Sequence, residues 1–366
     1  MAKYAVFDGH NDLAWASRRA SGYSIQGLDT GVPAFCTDLP RMAEGGLAAQ
    51  FWSVWVDPVL EGAEQVVGTL EQIDFVHRFI TAYPEQLGAA LTAAEAREVM
   101  ASGRTASLIG IEGGAQMGGS LAVLRQFARL GARYMTLTWS RTIEWADSAN
   151  DDAKHDGLSE FGREVVREMN RIGMIPDLAH VAPSTMRDAI EVSKYPVMIS
   201  HSGAAALCDN PRNVPDDVLR AVGESGGIVM AAFVPTFITE EERAWFDAGR
   251  EGPEPVVTVS DVADHIDYIR DVAGVHAVGI GSDFDGWFSW PQGLEDVSKF
   301  PALFEELENR GWSEQDLRAL GTENMLRVLE ASDGAYLDFV EGRAGQPNED
   351  TLAAVVDTQA RRDQQA

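Results

Sequence analysis

Eight short apolar runs separated by amphipathic segments predict an α/β protein, a closed (β/α)8 barrel of the TIM type with extra C-terminal helices. The runs are "YAVF", "AAQFWSVWV", "ASLIGI", "ARYMTLT", "GMIPDLA", "YPVMISH", "GGIVMAAF" and "HAVGIGSD". Between them lie helical patterns such as "EQVVGTLEQIDFVHRFITAY", "LAVLRQFARL", "EFGREVVREMNRI", "STMRDAIEV" and "SDVADHIDYIRDVA". Several follow a Ser, Thr or Asp that suits a helix N-cap. Strand then helix, repeated, implies right-handed crossovers and a parallel sheet, and eight such units close a ring. An open doubly wound sheet is the alternative.

The chain has 366 residues, a length that one barrel domain over 1–366 accounts for. Its 45% hydrophobic residues and 35 glycines supply a large core and many tight turns. A formal net charge of −28 disfavours nucleic acid and anionic membrane surfaces as partners. Cys36 and Cys208 are too few for a disulfide framework and point to a reducing interior, with one bridge between them left open. No apolar stretch reads as a secretion signal or a membrane span, so a cytoplasmic protein is expected. After the seventh run, "TFITEEERAWFDAGREGPEPVV" (236–257) is an acidic insertion that fits neither strand nor neat helix. It reads either as a surface helix and loop or as a lid over the barrel mouth. "WSEQDLRALGTENMLRVLEA" reads as two closing helices, and the polar tail over 355–366 as frayed.

In a barrel the C-terminal ends of the strands converge on one face, so polar residues there are candidates for a shared site. His10 and Asp12 follow the first run, two residues apart, an alternation that would aim both at the mouth. Glu112 ends the third run, His180 the fifth, His201 the sixth and Asp283 the eighth. Imidazole nitrogens and carboxylate oxygens without cysteine suit a catalytic site for zinc or a related divalent ion. Five ligand groups exceed the needs of one open ion, and two ions bridged by a carboxylate would use them all, with Glu112 the natural bridge. The remaining histidines, His77, His265 and His276, lie in helical or pre-strand contexts.

The blocks "FDGHNDLAW", "IGIEGG", "RYMTLT", "WADSA", "GLSEFGREVVREMNRIGMIPDLAHV", "ISHSGA", "RNVPDDVL" and "GIGSDFDG" run from residue 7 to residue 286. In motif and order the sequence resembles the renal, or membrane, dipeptidase family of the metal-dependent amidohydrolase superfamily. The resemblance implies two zinc ions, one on His10, Asp12 and Glu112, the other on Glu112, His180 and His201. It implies a dipeptidase that also accepts a D-residue at the C-terminal position, with a hydroxide between the ions attacking the peptide carbonyl. It further implies that Asp283 carries protons to the leaving amine, that Arg212 holds the substrate carboxylate, and that a homodimer forms.

The sequence departs from that family at Trp139 in "RYMTLTWSRT", where relatives carry a histidine that contacts the substrate carbonyl oxygen. An indole offers a single donor and no charge, so the oxyanion loses a donor whose removal typically costs on the order of 10²–10³ in rate. Ala115 likewise stands where relatives often have histidine. His155 in the following loop is a candidate replacement. Trp139 thus keeps two other readings open: an amidohydrolase for N-acyl amino acids or lactams, and a metal-binding pseudoenzyme.

Overall fold

In the computed structural model, which describes residues 2–347, the first strand, β1 (Val6–Asn11), pairs in parallel with the last, β9 (Val278–Ile280). That pairing, Asp8 opposite Ile280, closes a ring. Between them run β2 (Leu47–Trp55), β3 (Leu87–Ala89), β4 (Thr105–Glu112), β5 (Ala132–Thr136), β6 (Ile175–Asp177), β7 (Met198–Ser202) and β8 (Ile228–Ala231). Around the ring the order is β1, β2, β4, β5, β6, β7, β8, β9, all parallel. The expected (β/α)8 barrel is borne out, each ring strand arising from a predicted run. β3 has no counterpart among those runs. Its three residues pair with Thr105–Ser107 of β4, on the edge that β5 takes over further along.

Side chains alternate between the two faces of the ring. Phe7, Phe51 and Tyr134 meet ring to ring inside it, with centroids 5.5 and 4.9 Å apart, although β2 and β5 are not neighbours. Val6, Trp52, Val54, Ile109, Ile111 and Val229 belong instead to the larger cluster between strands and helices. Burying each such side chain contributes roughly 1.5–3 kcal/mol, so the two faces together hold the strands in register.

Some helices begin at side-chain caps, whereas Ala63–Ala82 and Pro183–Val192 follow Gly62 and Ala182, which supply none. Thr92 and Glu95 form a capping box on Ala93–Ala101, and Ser159 accepts from Gly162 N–H at the start of Glu160–Arg171. The insertion is more regular than its sequence suggests. It folds as Pro235–Ile238 and then Glu240–Asp247, the second helix capped by the Thr239 hydroxyl. Three consecutive glutamates at its N-terminal end favour the helix through its dipole, a signal that outweighs the irregular apolar spacing. At the C-terminal end Glu314–Arg318 leads through a π-turn into Asn324–Val340. Asn324 donates to the carbonyls of Val275 and Val278 at 2.7 and 2.8 Å, so this last helix braces the closing strand. The tail expected to fray, 355–366, lies outside the described residues. Cys36 and Cys208 are both free, and no described helix is long and apolar enough to cross a membrane.

Gly110 on β4 faces Tyr134 on β5, and a Cβ there would fall 1.9 Å from the phenol ring. Gly110→Ala is therefore expected to lower stability by about 1–3 kcal/mol through overpacking. A denaturant midpoint measured at unchanged m-value checks it.

Candidate metal centre

The ligand candidates reach the mouth through irregular backbone as much as through strand alternation. The β1–β2 register slips between Asp8 and Asn11, around His10, and the β7–β8 register slips between Ile199 and Ser202, around His201. Such irregularities re-aim side chains at barrel rims. His180 and Asp283 take left-handed backbone, φ 67° and 64°, an uncommon conformation for residues with a Cβ. The loops after β1 and β9 are zipped together: Asp283 N–H donates to His10 O and Asp12 N–H to Phe284 O, at 3.2 and 2.9 Å. Gly286 completes the approach, since a Cβ there would sit 2.3 Å from an Asp12 oxygen and 2.4 Å from one of Asp283.

All six predicted groups converge. Glu112 lies at the centre, and its two oxygens face different partners. Oε2 is 3.3 Å from His10 Nε2 and accepts from Ser53 Oγ at 3.1 Å. Oε1 is 2.9 Å from His180 Nε2 and 3.7 Å from His201 Nε2. Asp12 and Asp283 approach His10 Nε2 at 3.5 and 3.9 Å. The ligand atoms of His10, Glu112 and His201 lie within 4.8 Å of one another, as do those of His10, Asp12 and Asp283. Asp283 thus stands beside the first set rather than apart from it.

This donor set fits divalent cations. The Nε2 atoms of His180 and His201 face each other at 3.0 Å, while His10 Nε2 and Asp12 Oδ1 are buried without a hydrogen-bond partner. Charges crowd accordingly. Burial alone would raise Glu112, but His10 and His180 hold its carboxyl well below the usual range. Burial and the His10 and Arg212 cations push His201 well down, and burial with Arg212 takes His180 down to about 3. Burial, then Asp12 and Glu112, hold Asp283 well above the usual carboxylate range. Burial opposes a charged His10, yet Tyr134, Glu112 and Asp12 raise it well above an ordinary imidazole. Cation uptake therefore competes with a proton on His10.

Behind the ligands stands a layer that the sequence reading missed. Tyr134 Oη is 2.9 Å from His10 Nδ1, and Ser200 Oγ is 2.9 Å from His201 Nδ1. Asp177 in turn accepts from Thr136 Oγ1, Ser200 Oγ and the Ser200 and Ala179 N–H groups. Asp177 lies three residues before His180 and Ser200 one before His201, a proximity that could have flagged both as orienting groups. The other histidines are satisfied by backbone carbonyls: His77 by Leu130, His265 by Ile238, His276 by Gly223.

The centre opens into a cavity of about 380 Å³ lined by Asp12, Glu112, His180 and Asp283, by Arg212, and by Trp15, Trp55, Trp139, Phe237 and Trp287. Arg212 is buried, its guanidinium 5.1 Å from the Phe237 ring and both Nη atoms without partners. Arg243, Phe246 and Asp247 of the insertion also line this cavity, from a surface helix with one buried residue. Trp139 packs on Trp55 and His180 at 4.9 and 5.9 Å, and the Ser148 hydroxyl of "WADSA" donates to its carbonyl at 2.6 Å. His155 does not take up the missing role. Its Nε2 lies 3.1 Å from Ile143 O, and it does not line the cavity, because Asp147 pins its loop by accepting from the backbone of Lys154, His155 and Gly157.

A closed barrel with imidazoles and carboxylates gathered around one glutamate at the strand C-termini defines a barrel of the amidohydrolase type. The chain belongs to the membrane dipeptidase family, Peptidase family M19, whose profile matches residues 1–336. It is 41% identical over 337 residues to Dipeptidase 3 of Rattus norvegicus, covering 90% of this chain and 65% of that protein. It is 42% identical to Dipeptidase aclJ of Aspergillus oryzae, covering 90% and 78% respectively. A metallopeptidase from Rhodobacter sphaeroides, solved with a phosphinate mimic of the dipeptide L-Ala-D-Ala, superposes with a TM-score of 0.81 at 29% identity, covering 90% of this chain and 99% of that one. The chain thus spans somewhat under two thirds of the rat relative.

Removing the Asp177 carboxylate frees both Ser200 and Thr136, and with them the His201 ring. Asp177→Ala is expected to weaken metal binding roughly 10–100-fold. Competition against a chromophoric chelator reads the change.

Proposed function

We propose that this protein is a binuclear metallodipeptidase, with two zinc ions held by His10, Asp12, Glu112, His180 and His201, that hydrolyses dipeptides including those with a D-residue at the C-terminal position. The observation that carries the reading is the division of Glu112: one oxygen addresses His10, the other His180 and His201, as a bridging carboxylate requires. When bound, two such ions polarise a carbonyl and acidify a water toward neutrality. The relative solved with a phosphinate dipeptide mimic supports the substrate class.

The chain's own residues supply the rest. Arg212 presents two unpartnered nitrogens, the planar fork that pairs a carboxylate bidentately, and Phe237 fixes its plane from below. Asp283, held above the usual carboxylate range by burial and by neighbouring carboxylates and standing 3.9 Å from His10 Nε2, is the group that would accept a proton and return it. It stands on the same side of the ring as Arg212, β9 and β7 being separated only by β8, so the amine it protonates belongs to the residue whose carboxylate Arg212 holds. Trp139 brings no imidazole; it packs on Trp55 and His180 and presents its ring to the cavity. The complete ligand set and the Asp283 carboxyl beside it argue against the pseudoenzyme reading, since mere recognition needs no proton carrier.

Turnover of a dipeptide panel by zinc-loaded protein tests the proposal. Hydrolysis should disappear on chelation and return with metal; turnover that survives full chelation refutes it. Arg212→Gln should raise KM far more than it lowers kcat, because the lost contact binds ground and transition states alike. Asp283→Asn should lose roughly 10²–10⁴ in kcat while retaining both metals. Steady-state kinetics paired with metal analysis separates these effects.

A further inference from the structure

Resting on the dipeptidase reading, we infer that Trp15, Trp55 and Trp139 form the subsite for the substrate's N-terminal side chain and select dipeptides that begin with a flat apolar residue, above all an aromatic one. The ring order gives the direction. Arg212 follows β7, which lies diametrically across the eight-strand ring from β2, whose last residue is Trp55. Trp15 follows β1 and Trp139 follows β5, flanking Trp55 on that same side, while Glu112 on β4 lies between Trp55 and Trp139. A dipeptide anchored by its carboxylate at Arg212, with its peptide bond over the ligands, therefore sends its N-terminal residue toward the tryptophans.

The three rings form a continuous wall. Trp15 meets Trp55 edge to face at 4.4 Å and 83°, and Trp55 meets Trp139 at 4.9 Å and 60°. All three are only half-buried and line the cavity, so aromatic surface is left open to a ligand there. Trp139 is also a partition. On its far side lies a second cavity of about 580 Å³, lined by Val56, Ala115, Ile143 and Trp145 and sharing only Glu112 and Trp139 with the first. An N-terminal side chain thus ends against indole rather than running on into that space. Edge-to-face contact with such a wall favours an aromatic side chain over a methyl by roughly tenfold, beyond what size alone gives.

The test compares kcat/KM of the zinc-loaded protein for L-Phe-D-Ala, L-Leu-D-Ala and L-Ala-D-Ala, and for L-Ala-D-Phe as the reversed case, in wild type, Trp15→Ala and Trp139→Leu. The expected result is a preference of about tenfold for Phe over Ala at the N-terminal position that is reduced in both variants, whereas the response to Phe at the C-terminal position, where Phe237 and Trp287 line the cavity, is the same in wild type and both variants. Metal content and circular dichroism confirm that each variant is folded. A flat N-terminal profile, or a preference that both folded variants keep, overturns the subsite while L-Ala-D-Ala turnover leaves the dipeptidase reading intact. Absence of turnover on every dipeptide overturns both.

Discussion

A carboxylate buried among imidazoles is the constraint on which the rest of the mouth depends. Glu112 is 4% exposed, and its oxygens lie within hydrogen-bonding or ion-pairing reach of three histidine rings, two of which turn their Nε2 atoms toward each other. Burying an ionised carboxylate costs several kcal/mol unless positive charge meets it. On this chain that charge comes from His10, raised well above an ordinary imidazole, and from the Arg212 guanidinium, while burial and Arg212 lower both His180 and His201. Tyr134, Ser53, Ser200 and Asp177 are best understood as the means of keeping these groups fixed despite that tension. Their hydrogen bonds take up the outer nitrogens of His10 and His201 and one Glu112 oxygen, while the outer nitrogen of His180 is buried without a partner.

The barrel and the ligand list were legible in the sequence because both depend on local pattern. The eight β-rich runs each became a ring strand, and the candidate ligands fell at their ends. What the pattern does not carry is the backbone that aims them. His10 and Asp12 suggest simple alternation, yet the register slips around His10, a slip that depends on what β2 and the loop after β9 offer in space. β3 escaped notice because three residues give no periodicity. The insertion looked irregular because its helix is favoured by capping and charge, with Glu242 its only buried residue.

The same limit applies to the pocket. Trp139 stood out as a departure from a known pattern, and His155 was a reasonable replacement by sequence distance alone. In space Asp147 commits the His155 loop elsewhere, whereas Trp55, unremarkable in sequence, comes up against Trp139 and in turn meets Trp15. Aromatic rings line both sides of the mouth, with Phe237, Phe246 and Trp287 near Arg212 and Asp283 on the arc from β7 to β9 and Trp15, Trp55 and Trp139 on the arc from β1 to β5.

The left-handed backbone at His180, Asp283 and Asp285 also sets a limit on how robust this molecule can become. Non-glycine residues in that conformation cost of order 1–3 kcal/mol each, and these three of the chain's six described cases all sit at the mouth. Glycine would relax the backbone at each, but at the expense of two of the groups that make the centre and, at Asp285, of the carboxylate that accepts from Cys36 N–H. Selection for heat tolerance and selection for chemistry therefore pull in opposite directions at these positions, and a hardier version of this barrel would have to find its extra stability in the helices.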